Sequence, residues 1–243
     1  MDVGYTLRPK SAFFNRIRFF TTNYYDEEPN GSVVSRRVSV GSGMDGRWNS
    51  FLRFELNQDG IAVGRDVLTR FRPRIYFELT PSSVLNLVSL DSNFGQEIDF
   101  DNGREGHGAS LSGTVSVRPN DHLEVRGIVN RRWLDVDAGG GLSGRLFTAQ
   151  VERLRATWTF NARAFVRLIG QYVQTTRDPA LYTFATSPKS ALFSTSALFA
   201  YKLNWQTVLY AGYGEQRAFS AATDQLEPSG RQLFAKLSYA WQH

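Results

Sequence analysis

The sequence predicts an all-β protein: an antiparallel up-and-down transmembrane β-barrel of 12–14 strands, about 13 of them visible in the chain. Three observations carry this. Apolar and polar residues alternate with a period of two along most of the 243 residues. Connections between those stretches alternate between short and long. The closing stretch Arg231 to His243 places Leu233, Ala235, Leu237, Tyr239 and Trp241 on one parity, with Gln232, Lys236 and Ser238 on the other. A strand turns its side chain over at each residue, so such a stretch has an oily face ending in aromatics and a wet face. One such strand fits the edge of a soluble sheet. The recurrence of the pattern points to a cylinder with lipid outside and water inside.

The strands follow in order. Val3, Tyr5 and Leu7 open the chain, and Ile17 and Phe19 share a face within 13–25. After Glu28-Pro29-Asn30-Gly31 comes a strand with Val34, Val38 and Val40, and then one in which Leu52, Phe54 and Leu56 oppose Arg53 and Glu55. Pro73, Ile75, Phe77 and Leu79 alternate with Arg72, Arg74, Tyr76 and Glu78; 84–90 continues with ambiguous parity. Leu111 to Arg118 and Leu123 to Asn130 flank the turn Pro119-Asn120-Asp121-His122. Leu154 to Phe160 and Ala164 to Tyr172 flank Asn161-Ala162, and Phe193 to Lys202 and Trp205 to Tyr213 flank Leu203-Asn204. Short connections are expected near 9–11, 41–46, 80–83, 119–122, 161–162 and 203–204, and long ones near 26–32, 57–66, 92–107, 135–143, 177–190 and 216–229. Alternate connections of an antiparallel sheet lie at opposite ends, so all the long loops fall on one side, as in outer-membrane barrels. An odd count predicts either one further strand upstream or an unpaired 3–7, leaving 12.

Composition narrows the function classes. Cys is absent, which excludes a disulfide framework and thiolate metal sites. Mean hydropathy is −0.33, and no apolar run approaches the roughly 20 residues of a membrane helix. The formal net charge is +5. The arginines are scattered at alternate positions rather than gathered in one patch, which argues against nucleic acid. Met1-Asp2-Val-Gly-Tyr carries no export signal, so the chain is expected to be one domain, 1–243, forming the C-terminal part of a longer exported protein.

The segments 144–172 (beginning Gly144-Arg-Leu-Phe-Thr-Ala), 196–214 (Ser196-Ala-Leu-Phe-Ala-Tyr-Lys-Leu-Asn-Trp) and 226–241 (Leu226-Glu-Pro-Ser-Gly-Arg-Gln-Leu-Phe) resemble a known group. It is the C-terminal barrel domain, of unknown function, of bacterial surface proteins that carry an N-terminal family-9-like carbohydrate-binding module. The resemblance covers essentially the whole chain. It implies the outer membrane of a Gram-negative bacterium, outer-membrane lipid and lipopolysaccharide as surroundings, contact with the barrel-assembly machinery through the C-terminal strand, and such a module in the parent protein. It implies no catalytic residue, cofactor or metal.

The candidate lumen residues are Arg16, Arg18, Arg53, Glu55, Arg72, Arg74, Glu78, Arg118, Glu124, Arg126, Arg153, Arg155, Arg167, Lys202 and Lys236. They read either as a structural ladder of Arg–Glu pairs or as an anion-preferring lining. Trp48, Trp133, Trp158, Tyr172, Tyr201, Trp205, Tyr239 and Trp241 lie near strand ends, as interfacial girdles require. Arg131 and Arg132, next to Trp133, suit lipid phosphate. Of the histidines, His243 is terminal, His122 sits in a turn, and His107 falls in a long loop with Asp99, Asp101 and Glu105. A general base there is one reading; a solvated acidic loop is the other. No Gly-x-Ser-x-Gly elbow, His-Glu-x-x-His or phosphate-binding glycine loop is present. The expected function is a membrane anchor and channel or translocation pore for a larger surface protein. The alternatives are a surface hydrolase with its site in the long loops and a soluble β-sandwich binding module.

Overall fold

The computed structural model describes residues 1–10, 13–64 and 66–241. Thirteen strands form one sheet in chain order, each antiparallel to the next. They are β1 (Asp2–Leu7), β2 (Phe14–Glu27), β3 (Val33–Gly46), β4 (Ser50–Val63), β5 (Asp66–Leu79), β6 (Leu85–Asp99), β7 (Arg104–Val117), β8 (Leu123–Gly139), β9 (Leu142–Asn161), β10 (Ala164–Arg177), β11 (Lys189–Lys202), β12 (Thr207–Ser220) and β13 (Gln225–Tyr239). A single up-and-down sheet leaves no second sheet to stack on the first, which removes the β-sandwich alternative. Residues 3–7 do pair, Val3 opposite Thr21 and Leu7 opposite Ile17, so the 12-strand alternative also falls. Among the described residues β1 and β13 are the sheet's two borders, and neither pairs with the other.

The two faces are inverted relative to a soluble protein. On one face Glu55, Asp59 and Glu97 are 5%, 2% and 4% exposed; on the other Leu154, Leu168 and Leu237 are 58%, 52% and 63% exposed. Apart from one loop, only the sheet itself is available to cover the charged face. Its burial therefore comes from the sheet curling around that face, and the greasy face is the convex one.

Strand ends differ from the sequence reading on one side. The described turns at the lower end (47–49, 80–84, 118–122, 162–163 and 203–206) fall at or near the expected short connections, except that 41–46 is the end of β3 and the turn follows it at 47–49. Asparagine side chains staple three of them. Asn120 Oδ1 accepts from the amides of His122 and Leu123, both at 2.9 Å. Asn161 Oδ1 accepts from Arg163 and Ala164 at 2.8 and 3.1 Å, and Asn204 Oδ1 from Gln206 and Thr207 at 2.9 and 2.8 Å. At the upper end most of the expected long loops are continued ladders. β4 and β5 are joined by 64–65 alone, β6 and β7 by 100–103, β8 and β9 by 140–141, β12 and β13 by 221–224. Only 178–188 is a long loop. In these upper stretches polar residues and glycine stand on both faces, so the alternation disappears while the backbone pairing continues.

The ladder between β5 and β6 is shorter than its neighbours. It stops at Arg74 opposite Asn93, whereas β4–β5 pairs up to Asp66 and β6–β7 up to Asp99. Pro73 has no N–H to offer beyond that point. A Cβ on Gly95, at φ 120°, would stand 2.6 Å from the Phe71 carbonyl oxygen, which fixes glycine there. The side chain of Gln96 bridges the gap, its Oε1 accepting from the Phe71 amide at 2.7 Å.

Candidate functional site

The inner face divides into two walls of different electrical character. From β2 to β6 its arginines are matched by carboxylates. Arg16 pairs with Asp45 at 2.6 Å, Arg18 with Asp2 at 2.7 Å, and Arg53 with Glu55 at 2.5 Å. Arg74 grips Asp91 through Nε and Nη2 at 2.9 and 2.7 Å and reaches Glu55 at 3.3 Å. Glu78 accepts from the Tyr76 hydroxyl at 2.5 Å. Next to the split between β5 and β6 lies the densest knot. Asp59 accepts from Arg37, Arg70 and Arg72 at 2.5, 3.2 and 3.0 Å; Glu97 accepts from Arg70 and Arg72 at 2.8 and 2.9 Å, with Arg132 at 3.6 Å. Arg70, 8% exposed, spans from one carboxylate to the other. Geometry this dense ties β3, β4, β5, β6 and β8 into one rigid wall where backbone pairing lapses.

From β8 to β13 the balance is lost. Register places Arg126 opposite Arg155, Ile128 opposite Arg153, and Glu124 opposite Thr157. Arg167 faces Thr157 on β9 and Leu198 on β11; Lys236 faces Tyr210 and Lys202 faces Val208 on β12. Glu124, shared by Arg118 at 2.9 Å and Arg155 at 2.8 Å, is the carboxylate in this set. Arg153 spends its Nε and Nη2 on the Gln171 carbonyl. Among the described residues no ion pair forms at Arg126, Arg153, Arg167, Lys202 or Lys236. The Nε atoms of Arg126 and Arg167 are buried without a partner. Reading upward, Lys202, Lys236, Arg167, the Arg126–Arg155 pair and Arg153 occupy five successive rungs of the inner face. Rungs are two residues apart, roughly 7 Å along a strand, and neighbouring strands lie about 4.8 Å apart. Lys202 and Lys236 therefore stand farther off, whereas Arg167, Arg155, Arg126 and Arg153 each lie within about one Debye length, about 10 Å at 0.1 M salt, of the next. Their fields overlap into one continuous positive strip.

The sequence-predicted lumen residues therefore share the inner face but not one role. Arg16, Arg18, Arg53, Glu55, Arg72 and Arg74 sit in the paired wall. Arg126, Arg153, Arg155, Arg167, Lys202 and Lys236 form the strip, with Glu124 on the Arg167 rung two strands away and Arg118 paired to it. Sequence reasoning missed Arg37, Asp59, Arg70, Asp91 and Glu97, which lie in or beside the stretches read as loops.

Of the aromatics, Trp158, Tyr201 and Tyr239 point outward near the lower ends of β9, β11 and β13, while Trp48 and Trp205 lie in lower turns and Trp241 just beyond β13. His122 stacks on Trp158 with ring centroids 5.8 Å apart. Trp133 and Tyr172 point outward near the upper end, and Arg145 lies over the Trp133 ring at 5.7 Å. Outward-facing Arg131, Glu152 and Glu215 lie at the upper limit of the belt. Of the two arginines next to Trp133, Arg131 faces out and Arg132 turns inward to Glu97.

The upper mouth is partly roofed. Residues 178–188 fold inward, and Leu181 packs with Leu134, Val136 and Leu146, flanked by Phe147 and Tyr182. Arg104 donates to the Leu181 carbonyl at 2.5 Å, and the Thr183 hydroxyl to Asn102 Oδ1 at 2.6 Å. Burial pushes the Tyr182 hydroxyl above its ordinary range; Asp99 and Asp101 add to this and Arg177 opposes it.

The hydrolase reading loses its geometry. His107 is not in a loop but exposed on the outer face of β7, opposite Gln96 and Asp135. Asp99, 3% exposed, lies on the inner side, where Arg104 and Asn102 occupy its carboxylate at 2.8 and 2.7 Å. Among the described residues no hydrogen bond joins His107 to a carboxylate, and Asp135 opposite it is held by Arg145. Among the described residues no group of three or more His, Cys, Asp or Glu is placed to hold a metal ion. His243 lies outside the described residues.

No family model and no curated protein matches the chain. A solved NanC porin in a rhombohedral crystal form is similar over 91% of this chain and 98% of that one, at 10% identity and a TM-score of 0.39, a likeness too distant to carry an argument about function.

Proposed function

We propose that this chain is an integral outer-membrane β-barrel that anchors a larger surface protein and conducts small solutes through its lumen. The observation that carries the reading is the inversion of the two faces: a convex apolar surface with no protein layer over it, and buried carboxylates and guanidiniums within. Uncovered apolar area on this scale is not tolerated in water, and lipid is the medium that matches it. The free edge of β13 suits strand addition by an assembly machinery. Outward Arg131 suits lipopolysaccharide phosphate. The carbohydrate-binding-like module belongs to the same proposal, as the cargo of the anchor. The positive strip on β8 to β13 supports conduction with an anion preference.

The anchor is tested by refolding into detergent and into phospholipid vesicles. Gel migration that changes on boiling, together with resistance of the vesicle-bound strands to protease, is expected. A protein that stays monomeric and folded without detergent would overturn it. The channel is tested separately by planar-bilayer recording, where folded protein that yields no conductance steps removes conduction and leaves the anchor.

A further inference from the structure

Two features of the inner face of β10 to β13 converge on one place. Phe234 faces Gly212 across the β12–β13 ladder, and a Cβ built on Gly212 would stand 2.3 Å from the Phe234 ring. The ring therefore packs closely over Gly212, where a larger residue would push it aside, and Phe234 as a whole is 41% exposed. On the neighbouring strands Arg167 pairs with Leu198, and the next rung up pairs Ile169 with Ser196. These side chains enclose a hollow of about 260 Å³ lined by Arg167, Ile169, Ser196, Leu198, Gln232 and Phe234. Arg167 brings the charge. Its guanidinium lies 5.2 Å from the Phe165 ring centroid, its Nε is buried without a hydrogen-bond partner, and no carboxylate neutralises it. A hollow immediately above, of about 560 Å³, is lined by Arg153, Gln171, Ser194, Gln216 and Gln232, with Glu215 and Arg231 also at its border.

A structural arginine would have taken a carboxylate, as Arg74 takes Asp91 on the opposite wall. Here the cation lies over the Phe165 ring, at the border of a hollow whose apolar platform is Phe234, and no carboxylate pairs with it. We propose that this hollow is a binding subsite for small organic anions, with Arg167 taking the carboxylate or phosphate and Phe234, Ile169 and Leu198 taking an apolar group. Chloride satisfies only the guanidinium, and a neutral aromatic only the platform; a molecule with both groups gains from both. The inference deepens the conduction proposal by naming a solute class, but the binding itself requires only a folded barrel.

The test uses the refolded full chain in detergent micelles, with folding of each variant checked by heat-modifiable migration. Calorimetric titrations use benzoate, with benzyl alcohol and chloride as single-feature probes and detergent-only titrations subtracted. Benzoate is expected to bind at least tenfold more tightly than either. R167Q should remove that advantage over benzyl alcohol, F234A should weaken both aromatic probes, and R16Q on the paired wall should change neither. Benzoate no better than benzyl alcohol, or an affinity that survives R167Q, overturns the subsite. Absence of bilayer conductance with benzoate binding intact would remove the channel and leave the subsite standing.

Discussion

Asp59 and Glu97 each gather three guanidiniums while almost wholly buried, so the carboxylates, rather than any one arginine, hold the paired wall together. Removing one partner of a buried charge network typically costs about 3–5 kcal/mol, because the rest is left unbalanced. Asp59→Asn or Glu97→Gln is therefore expected to lower the temperature of the heat-modifiability transition markedly. Arg16→Gln, breaking a pair whose arginine is 52% exposed, should shift it little, since exposed pairs are worth less than about 1 kcal/mol. Equal shifts in the two classes would show that the knot has no special weight. On the greasy side, Leu168→Arg places a charge in the belt and should cost about 2–4 kcal/mol if it lies near the bilayer midplane, read as a lower yield of vesicle insertion. These two classes of residue were unequally legible. Arg53, Glu55, Arg72 and Arg74 could be assigned from sequence because lipid-facing Phe54, Pro73 and Ile75 label the opposite parity. Asp59 and Glu97 could not, because their neighbours Gln58, Gly60 and Gln96 are polar or glycine and mark no greasy parity.

Among the elements, the loop 178–188 is the one piece of irregular chain with a hydrophobic anchor. Its packing at the mouth was invisible in the sequence, since Leu181 meets Leu134 and Leu146 only through the curl of the sheet. Because the protein has no cysteine, a spin label on Ala185→Cys reports on the loop alone. Leu181→Ala should raise the label's mobility while leaving the barrel's thermal transition nearly unchanged, a burial change of about 2–4 kcal/mol felt locally. Unchanged mobility would mean that the strap from Arg104 and Thr183 suffices. The neutral Tyr182 hydroxyl is the form the packed loop favours. That contribution is complete below the ordinary tyrosine value of 10.0 and is lost as pH rises beyond it. The label should therefore loosen at alkaline pH, and Tyr182→Phe should abolish that response. Strand existence and order were readable because the period-two pattern is strong. Strand ends were readable only at the lower side, where asparagine turns terminate the ladder.

For the whole molecule, the directions of the first and last described strands have a consequence for sidedness. β1 starts beside Thr22 and runs toward the lower turns, and β13 runs the same way, finishing beside Thr207. The stretches that lead into β1 and out of β13 therefore leave from opposite rims, whichever way the protein is inserted. In an even-stranded cylinder they would leave from the same rim. A peptide tag at Met1 and another after Trp241 should thus differ in reach: an impermeant biotinylation reagent applied to intact cells labels one and spares the other. For a tether this geometry sorts attachments by position: a module joined directly ahead of β1 emerges at the upper rim, and one joined directly after β13 at the lower.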